Sequence, residues 1–269
     1  MNSLFVRDND HYVPTESAAS FWSRDTVHGG ASTALMVAVM EQHFSSDAMQ
    51  LARLTVDLFR PIPMAPLRVE CRAARNGKRL KLFDVSVFDG EQEVCRSSGL
   101  VLERNALDLP EHAKAATGLP DAIKAAMDQA PVMGVYAAGN TEESGSTGGL
   151  HTRLEIKPVV FDIGSGRGCV WAKLPLSVID GLENSRLLNA AALADFANGF
   201  AYLQLDENVG FINADITLNL HKMPVGEWLC LDARTQAQPG GTTMVEALVY
   251  DELGAIGRIS QSNLTMAMS

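Results

Sequence analysis

The second half of this chain repeats its first. Shifted by 162 positions, Leu54-Thr55-Val56-Asp57-Leu58 lies over Ile216-Thr217-Leu218-Asn219-Leu220, and Arg60 lies over Lys222. The same shift, without a gap, places Val87-Phe88-Asp89 on Val249-Tyr250-Asp251 and Arg96-Ser97-Ser98 on Arg258-Ile259-Ser260. A register held this far predicts two units of one fold in a single chain. Upstream of each copy is a stretch of small residues, and here the copies part. The first opens with His28-Gly29-Gly30; the second carries Asp195 and has no such glycine pair. Complementary loss is the pattern expected of a fused pair that keeps one composite site.

With 269 residues and 46% hydrophobic content, the chain is long enough for two units, each with its own core. The expected division is 1–105 for the first unit, 106–150 for a connecting segment and 151–269 for the second. A net charge of −10 and a pI near 5.0 argue against nucleic acid or an anionic membrane surface as partner. Cys71, Cys95, Cys169 and Cys230 are scattered, without a CxxC pair or a His at ligand spacing, so no metal or cofactor is expected. In strand-like surroundings they read as small buried hydrophobes. The N-terminus reaches charge too early for a signal peptide, and the longest apolar stretch, Ala34 to Met40, is too short to span a bilayer. A cytoplasmic, reducing location is the expectation.

Each half reads as one helix followed by strands, as for an antiparallel sheet wrapped on a single helix, an α+β architecture. In the first half the helix is expected over Gly30–His43, apolar on all sides and therefore buried. Strands are expected over Ala52–Phe59, Leu67–Ala74, Lys81–Asp89 and Glu93–Glu103, with Asp89-Gly90 as a hairpin turn. In the second half a helix over Asn189–Leu205 precedes strands Phe211–His221, Trp228–Ala237, Thr243–Tyr250 and Ala255–Met266. Two further strands, Leu154–Val160 and Cys169–Leu174, open that half. The connecting segment is punctuated by Pro110, Pro120 and Pro131, with a short helix over Asp121–Gln129 and a polar run from Gly139 to Gly149.

The segments His28-Gly29-Gly30-Ala31, Ala192-Leu193-Ala194-Asp195-Phe196-Ala197-Asn198-Gly199 and Ile259-Ser260-Gln261-Ser262 resemble the hotdog-fold acyl-CoA thioesterases, and within them the double-hotdog, thioesterase II-like class. The resemblance covers nearly the whole chain outside the connecting segment. It implies two tandem hotdog domains forming an intrachain pseudo-dimer. In single-domain relatives an HGG turn and an Asp nine residues later share one helix, and each site joins HGG from one subunit to Asp from the other. Here the position nine after His28 is Val37, and the position nine before Asp195 is Arg186. One working site per chain follows.

The resemblance also implies roles. Asp195 would be the general base for a hydrolytic water, its pKa raised by burial. Gly29 and Gly30, at a helix N-terminus, would offer N–H groups to the oxyanion, each donor typically worth ~3 kcal/mol. Gln261 would help hold the water; its repeat equivalent is Gly99. The family's strand Thr falls on Asn213, a departure, although Asn can also bond a water. Thr217, four residues on, is the alternative, although its match to Thr55 favours a role in the sheet. His28 would orient the turn or contact substrate, or be satisfied by backbone. The CoA phosphates would need cations such as Arg53, Arg60, Lys78, Arg79, Lys81 or Lys222, and the acyl chain an apolar tunnel near Met36, Met40 and Phe200.

The leading expectation is hydrolysis of an acyl-CoA, a small-molecule substrate, by a homo-oligomer built from fused units. A non-catalytic acyl-CoA-binding protein is the alternative. A hotdog hydratase is disfavoured: Asp206-Glu207-Asn208-Val209-Gly210-Phe211 ends in Phe where the D-x-N-x-x-H pattern needs His.

Overall fold

The computed structural model describes residues 2–45, 47–113, 118–135, 148–206 and 209–267. The polar run that begins at Gly139 lies, as far as residue 147, outside them. The first half contributes β1 (Ser3–Asp8), β2 (His11–Pro14), α1 (Gly29–Glu41), β3 (Met49–Asp57), β4 (Leu67–Asn76), β5 (Leu80–Asp89) and β6 (Gln92–Glu103). Then come α2 (Asp121–Gln129), β7 (Met133–Gly134), β8 (Glu155–Asp162), β9 (Arg167–Lys173) and β10 (Ser177–Ile179). The rest comprises α3 (Arg186–Ala194), α4 (Ala197–Phe200), β11 (Val209–Asn213), β12 (Asp215–Leu220), β13 (Leu229–Ala237), β14 (Thr242–Asp251) and β15 (Gly254–Ala267). The helix expected over Asn189–Leu205 therefore starts earlier and breaks at Asp195-Phe196.

All the strands belong to one continuous sheet, in the order β10-β1-β2-β4-β5-β6-β3-β12-β15-β14-β13-β9-β8-β7, with β11 also on β15. The halves join where β3 pairs with β12, antiparallel, with Thr55 opposite Thr217, Leu54 opposite Leu218 and Val56 opposite Ile216. Thr55 and Thr217 are repeat equivalents, so the pair marks a pseudo-twofold axis, and each side of the seam offers the same surface to the other, as in an isologous dimer. Leu54, Val56, Ile216 and Leu218 are buried on the inner face. Burial of such a side chain is worth roughly 1.5–3 kcal/mol. This is the double hotdog: an antiparallel sheet in each half, wrapped on its own buried helix.

Helix α1 is buried from Gly30 through Met40, which explains its lack of a polar face. It packs antiparallel to α3: the C-terminal end of each helix meets the N-terminal end of the other. Beyond the seam, the second half also reaches the first through β10, which pairs in parallel with β1 through Ser3–Ser177 and Phe5–Ile179. Helix α2 matches its expected span and forms a second apolar cluster with Cys169, Trp171, Cys230 and Tyr250 on the outer side of the second-half sheet. Trp171 Nε1 donates to the Ile123 carbonyl at 2.9 Å, and Lys157 Nζ to that of Met127 at 2.6 Å. No helix among the described residues is long and apolar enough to cross a membrane.

Candidate active site

The N-terminus of α1 is built around its N-cap, His28, whose extended backbone lets its carbonyl accept from Ala31 and Ser32 N–H. Gly29 and Gly30 then bring α1 against the end of α3. A Cβ at Gly29 would lie 2.7 Å from Asp195 Oδ2, and one at Gly30 would run into the Ala192 carbonyl oxygen. The glycines therefore make room for the second half's own helix and carboxylate, not primarily for a ligand.

Asp195 is the C-cap of α3 (φ −72°, ψ −23°), not a mid-helix residue. A carboxylate there opposes the dipole of its own helix but favours that of α1, and direct hydrogen bonds settle the balance. Gly30 N–H donates to Oδ2 at 2.8 Å, and Asn213 Nδ2 donates to Oδ1 at 2.7 Å. His28 Nδ1 lies 2.9 Å from Oδ2 and 3.0 Å from Gly30 N. A lone pair on Nδ1 would repel an ionised carboxylate at that distance, so the proton sits on Nδ1, which donates to Oδ2. The Gly30 N–H then belongs to the carboxylate. The His28 ring stacks on Phe196, with centroids 4.7 Å apart and planes at 17°.

Burial pushes the Asp195 carboxyl up, but His28, with help from Asn213 and Gly30 N–H, outweighs it and holds the group below its ordinary value. The expectation that burial would raise this pKa is therefore corrected: three donors win over desolvation. Gln261 Nε2 donates to the carbonyls of Ala194 (2.9 Å) and Asp195 (3.2 Å), satisfying helix-end oxygens that lack partners within the helix.

Asp195, Asn213, Gln261, His28, Gly29 and Gly30 thus meet at one place, with Asp195 8% exposed. Thr217 does not join them. The chain slips by one residue at Ala214, between the pairs Asn213–Asn263 and Thr217–Ser260, so Asn213 faces the helices and Thr217 faces outward beside Thr55. Gly30 N–H is taken up by Asp195, whereas no described residue takes up Gly29 N–H. Of the proposed cations, Lys222 is tied to buried Asp251 at 2.8 Å. Met36, Met40 and Phe200 are packed core. A hollow of about 370 Å³ lies on the outer face of the first-half sheet, lined by residues such as Thr55, Arg72 and Arg96, away from this chemistry.

A neighbour unread in the sequence is His151, in a 3-10 turn (Leu150–Thr152) that docks on the first half through Leu150 N–H to the Ala19 carbonyl, 3.1 Å. Burial, with a smaller contribution from nearby His28, pushes its pKa down to about 4. Its ring meets Phe21 edge-on at 5.4 Å. A lone histidine beside a glycine-rich run carries no sequence signal for this placement.

Comparison with known proteins bears on the family and the fold. The family model for the acyl-CoA thioesterase N-terminal domain matches residues 18–102, and that for the C-terminal domain matches residues 127–265. No curated protein matches the sequence. Among solved structures, a hot dog fold protein of unknown function from Alicyclobacillus acidocaldarius superposes with TM-score 0.69 at 16% identity, covering 98% of this chain and 96% of its own. The tesB protein of Mycobacterium avium subs paratuberculosis gives 0.65 at 12%, covering 97% and 95%. Acyl-CoA thioesterase II TesB2 from Mycobacterium marinum gives 0.62 at 14%, covering 97% and 94%. At these identities the structures establish the shared fold, and the two domain matches, which together span most of the chain, establish the family. This chain belongs to the acyl-CoA thioesterase family, as a thioester hydrolase with the double-hotdog fold.

Proposed function

We propose that the chain hydrolyses acyl-CoA to free acid and CoA at one composite site, using water activated by Asp195. The observation that carries this reading is the Asp195 carboxylate of the second half held on the Gly30 N–H of the first, at 2.8 Å. Asn213 occupies one lone-pair direction of Oδ1, which leaves another to accept a proton from water. Held ionised by its donors, Asp195 is a ready base at neutral pH, and His28 fixes its orientation. The buried amide oxygens of Asn213 and Gln261 accept no hydrogen bond from the described residues, and either suits the second hydrogen of a water whose first goes to Asp195. As the water oxygen attacks the thioester carbon, the Gly29 N–H at the α1 N-terminus would face the oxyanion. Collapse breaks the C–S bond, and the proton passes to the departing sulfur.

We place the enzyme in the cytoplasm, where its free cysteines suit a reducing compartment, as a homo-oligomer of the fused unit. The test is thiol release from a panel of acyl-CoAs by the wild type and by Asp195→Asn. Hydrolysis by the wild type and a loss of at least about 100-fold in the variant are expected. Tight binding of acyl-CoA without thiol release would instead favour a non-catalytic binding protein.

A further inference from the structure

Five buried side-chain nitrogen and oxygen atoms without a hydrogen-bond partner among the described residues come from four residues on one face: Asn213 Oδ1, Thr243 Oγ1, Gln261 Oε1 and both amide atoms of Asn263. Strand register explains the grouping. Asn213 on β11 is directly opposite Asn263 on β15, and Asn263 is directly opposite Thr243 on β14. Gln261 stands two residues from Asn263 on the same face. Opposed side chains on adjacent strands have Cβ atoms about 5 Å apart. The row therefore runs about 10 Å across β11, β15 and β14, starting at Asn213, which holds the Asp195 carboxylate. Asn263 is 2% exposed and Thr243 1%.

Buried polar atoms demand partners, and a row of them demands a hydrogen-bonding occupant. An aliphatic chain laid along it would leave every one unsatisfied. The row offers both donors and acceptors, and none of its members is charged. An anionic group there would also face ionised Asp195. We propose that the acyl group this enzyme takes carries a neutral hydrogen-bonding substituent that both donates and accepts, a hydroxyl group, bound by Asn263 and Thr243 beyond the thioester carbonyl. This deepens the thioesterase reading and rests on it. The substrate class becomes a polar acyl-CoA, and the apolar-tunnel expectation near Met36 and Met40 gives way to the amide-lined face.

The test compares kcat/KM for hexanoyl-CoA with that for 3-, 4-, 5- and 6-hydroxyhexanoyl-CoA. At least one hydroxy isomer is expected to exceed hexanoyl-CoA by about tenfold or more, since sites built to bond a hydroxyl reject its absence strongly. In the near-isosteric double variant Thr243→Val with Asn263→Leu, that preference is expected to vanish while hexanoyl-CoA hydrolysis is kept or improved. Thr243→Val alone covers the case in which the double variant fails to fold, with a smaller loss of preference expected. Hexanoyl-CoA turning over as well as every hydroxy isomer would overturn the proposal and leave the thioesterase reading standing. No thiol release by the wild type from any of the five would overturn both.

Discussion

The inner faces of the two half-sheets occupy equivalent places and differ in chemistry. Where the second half has Asn213, Gln261 and Asn263, the first has Leu51, Gly99 and Val101 at the same repeat positions, with the same strand pairing. Leu51 and Val101 are buried core, and a methyl added at Gly99 would overlap the Met40 sulfur. At these three positions one face is filled with hydrocarbon, and the other carries amides whose oxygens accept no hydrogen bond from the described residues; the equivalent of Thr243 is half-buried Lys81, opposite Val101. The two ends of the α1–α3 pair differ in parallel. At one end Asp195 meets Gly30 and His28; at the other Glu41 accepts from Ser185 Oγ at 2.9 and 2.8 Å. Burial raises the Glu41 pKa, and the Ser185 hydroxyl only partly offsets it, whereas Asp195 is held down. Duplication supplied two equivalent places, and divergence turned one into core and a helix-end latch.

The comparison breaks first at its carboxylates. Asp195→Asn should lower thiol release from acyl-CoA by roughly 10²–10⁴-fold, and Glu41→Gln should leave it within about twofold. Next is Gly30→Ala, whose methyl runs into the Ala192 carbonyl; it should separate α1 from α3 and cost at least about tenfold in kcat/KM, with a lower melting temperature. Moving polarity into the filled half comes third. Val101→Asn buries an amide among hydrocarbon at a cost of about 1–3 kcal/mol, which calorimetry should read as a drop of roughly 2–10 °C with kcat at 25 °C preserved.

Two pH effects are smaller and opposite in sign. The depressed Asp195 pKa contributes stability above its unfolded pKa, lost as pH falls through the lower folded value, and the proposed role as base predicts activity that persists into acid. Removing a donor with Asn213→Ala should shift the acid limb of the kcat profile upward. Glu41, with its raised folded pKa, contributes stability below its unfolded pKa that is lost as pH rises through the folded value. Glu41→Gln should therefore raise the melting temperature at pH 7 by about 1–3 °C and leave it unchanged at pH 4.

The repeat, the buried α1 and the long strands were legible because each rests on a pattern within one segment. Asp195, Gly29, Gly30 and Gln261 were legible as an asymmetry between copies. What eluded sequence reasoning depends on contacts between distant segments. The short strands β1, β2 and β10 are held by each other and by β4, too short to show a period of their own. The helix break at Asp195 depends on Gln261 and Asn213 satisfying its last carbonyls from across the sheet. The slip at Ala214 reversed the facing of Thr217 relative to Asn213, which a count along one strand does not see. Near the end of β15 the face rule misleads outright: Leu264 is 50% exposed and Asn263 is buried. An apolar-in reading would have turned the amide row outward.

We propose one composite site per chain, where the second half's Asp195 meets the first half's Gly30. Calorimetric titration of the wild type with a thioether analogue of acyl-CoA, which cannot be hydrolysed, tests it most directly. One analogue bound per chain, unchanged in Glu41→Gln and weakened in Gly30→Ala, is the predicted result. Two bound per chain, or binding indifferent to Gly30, would contradict it.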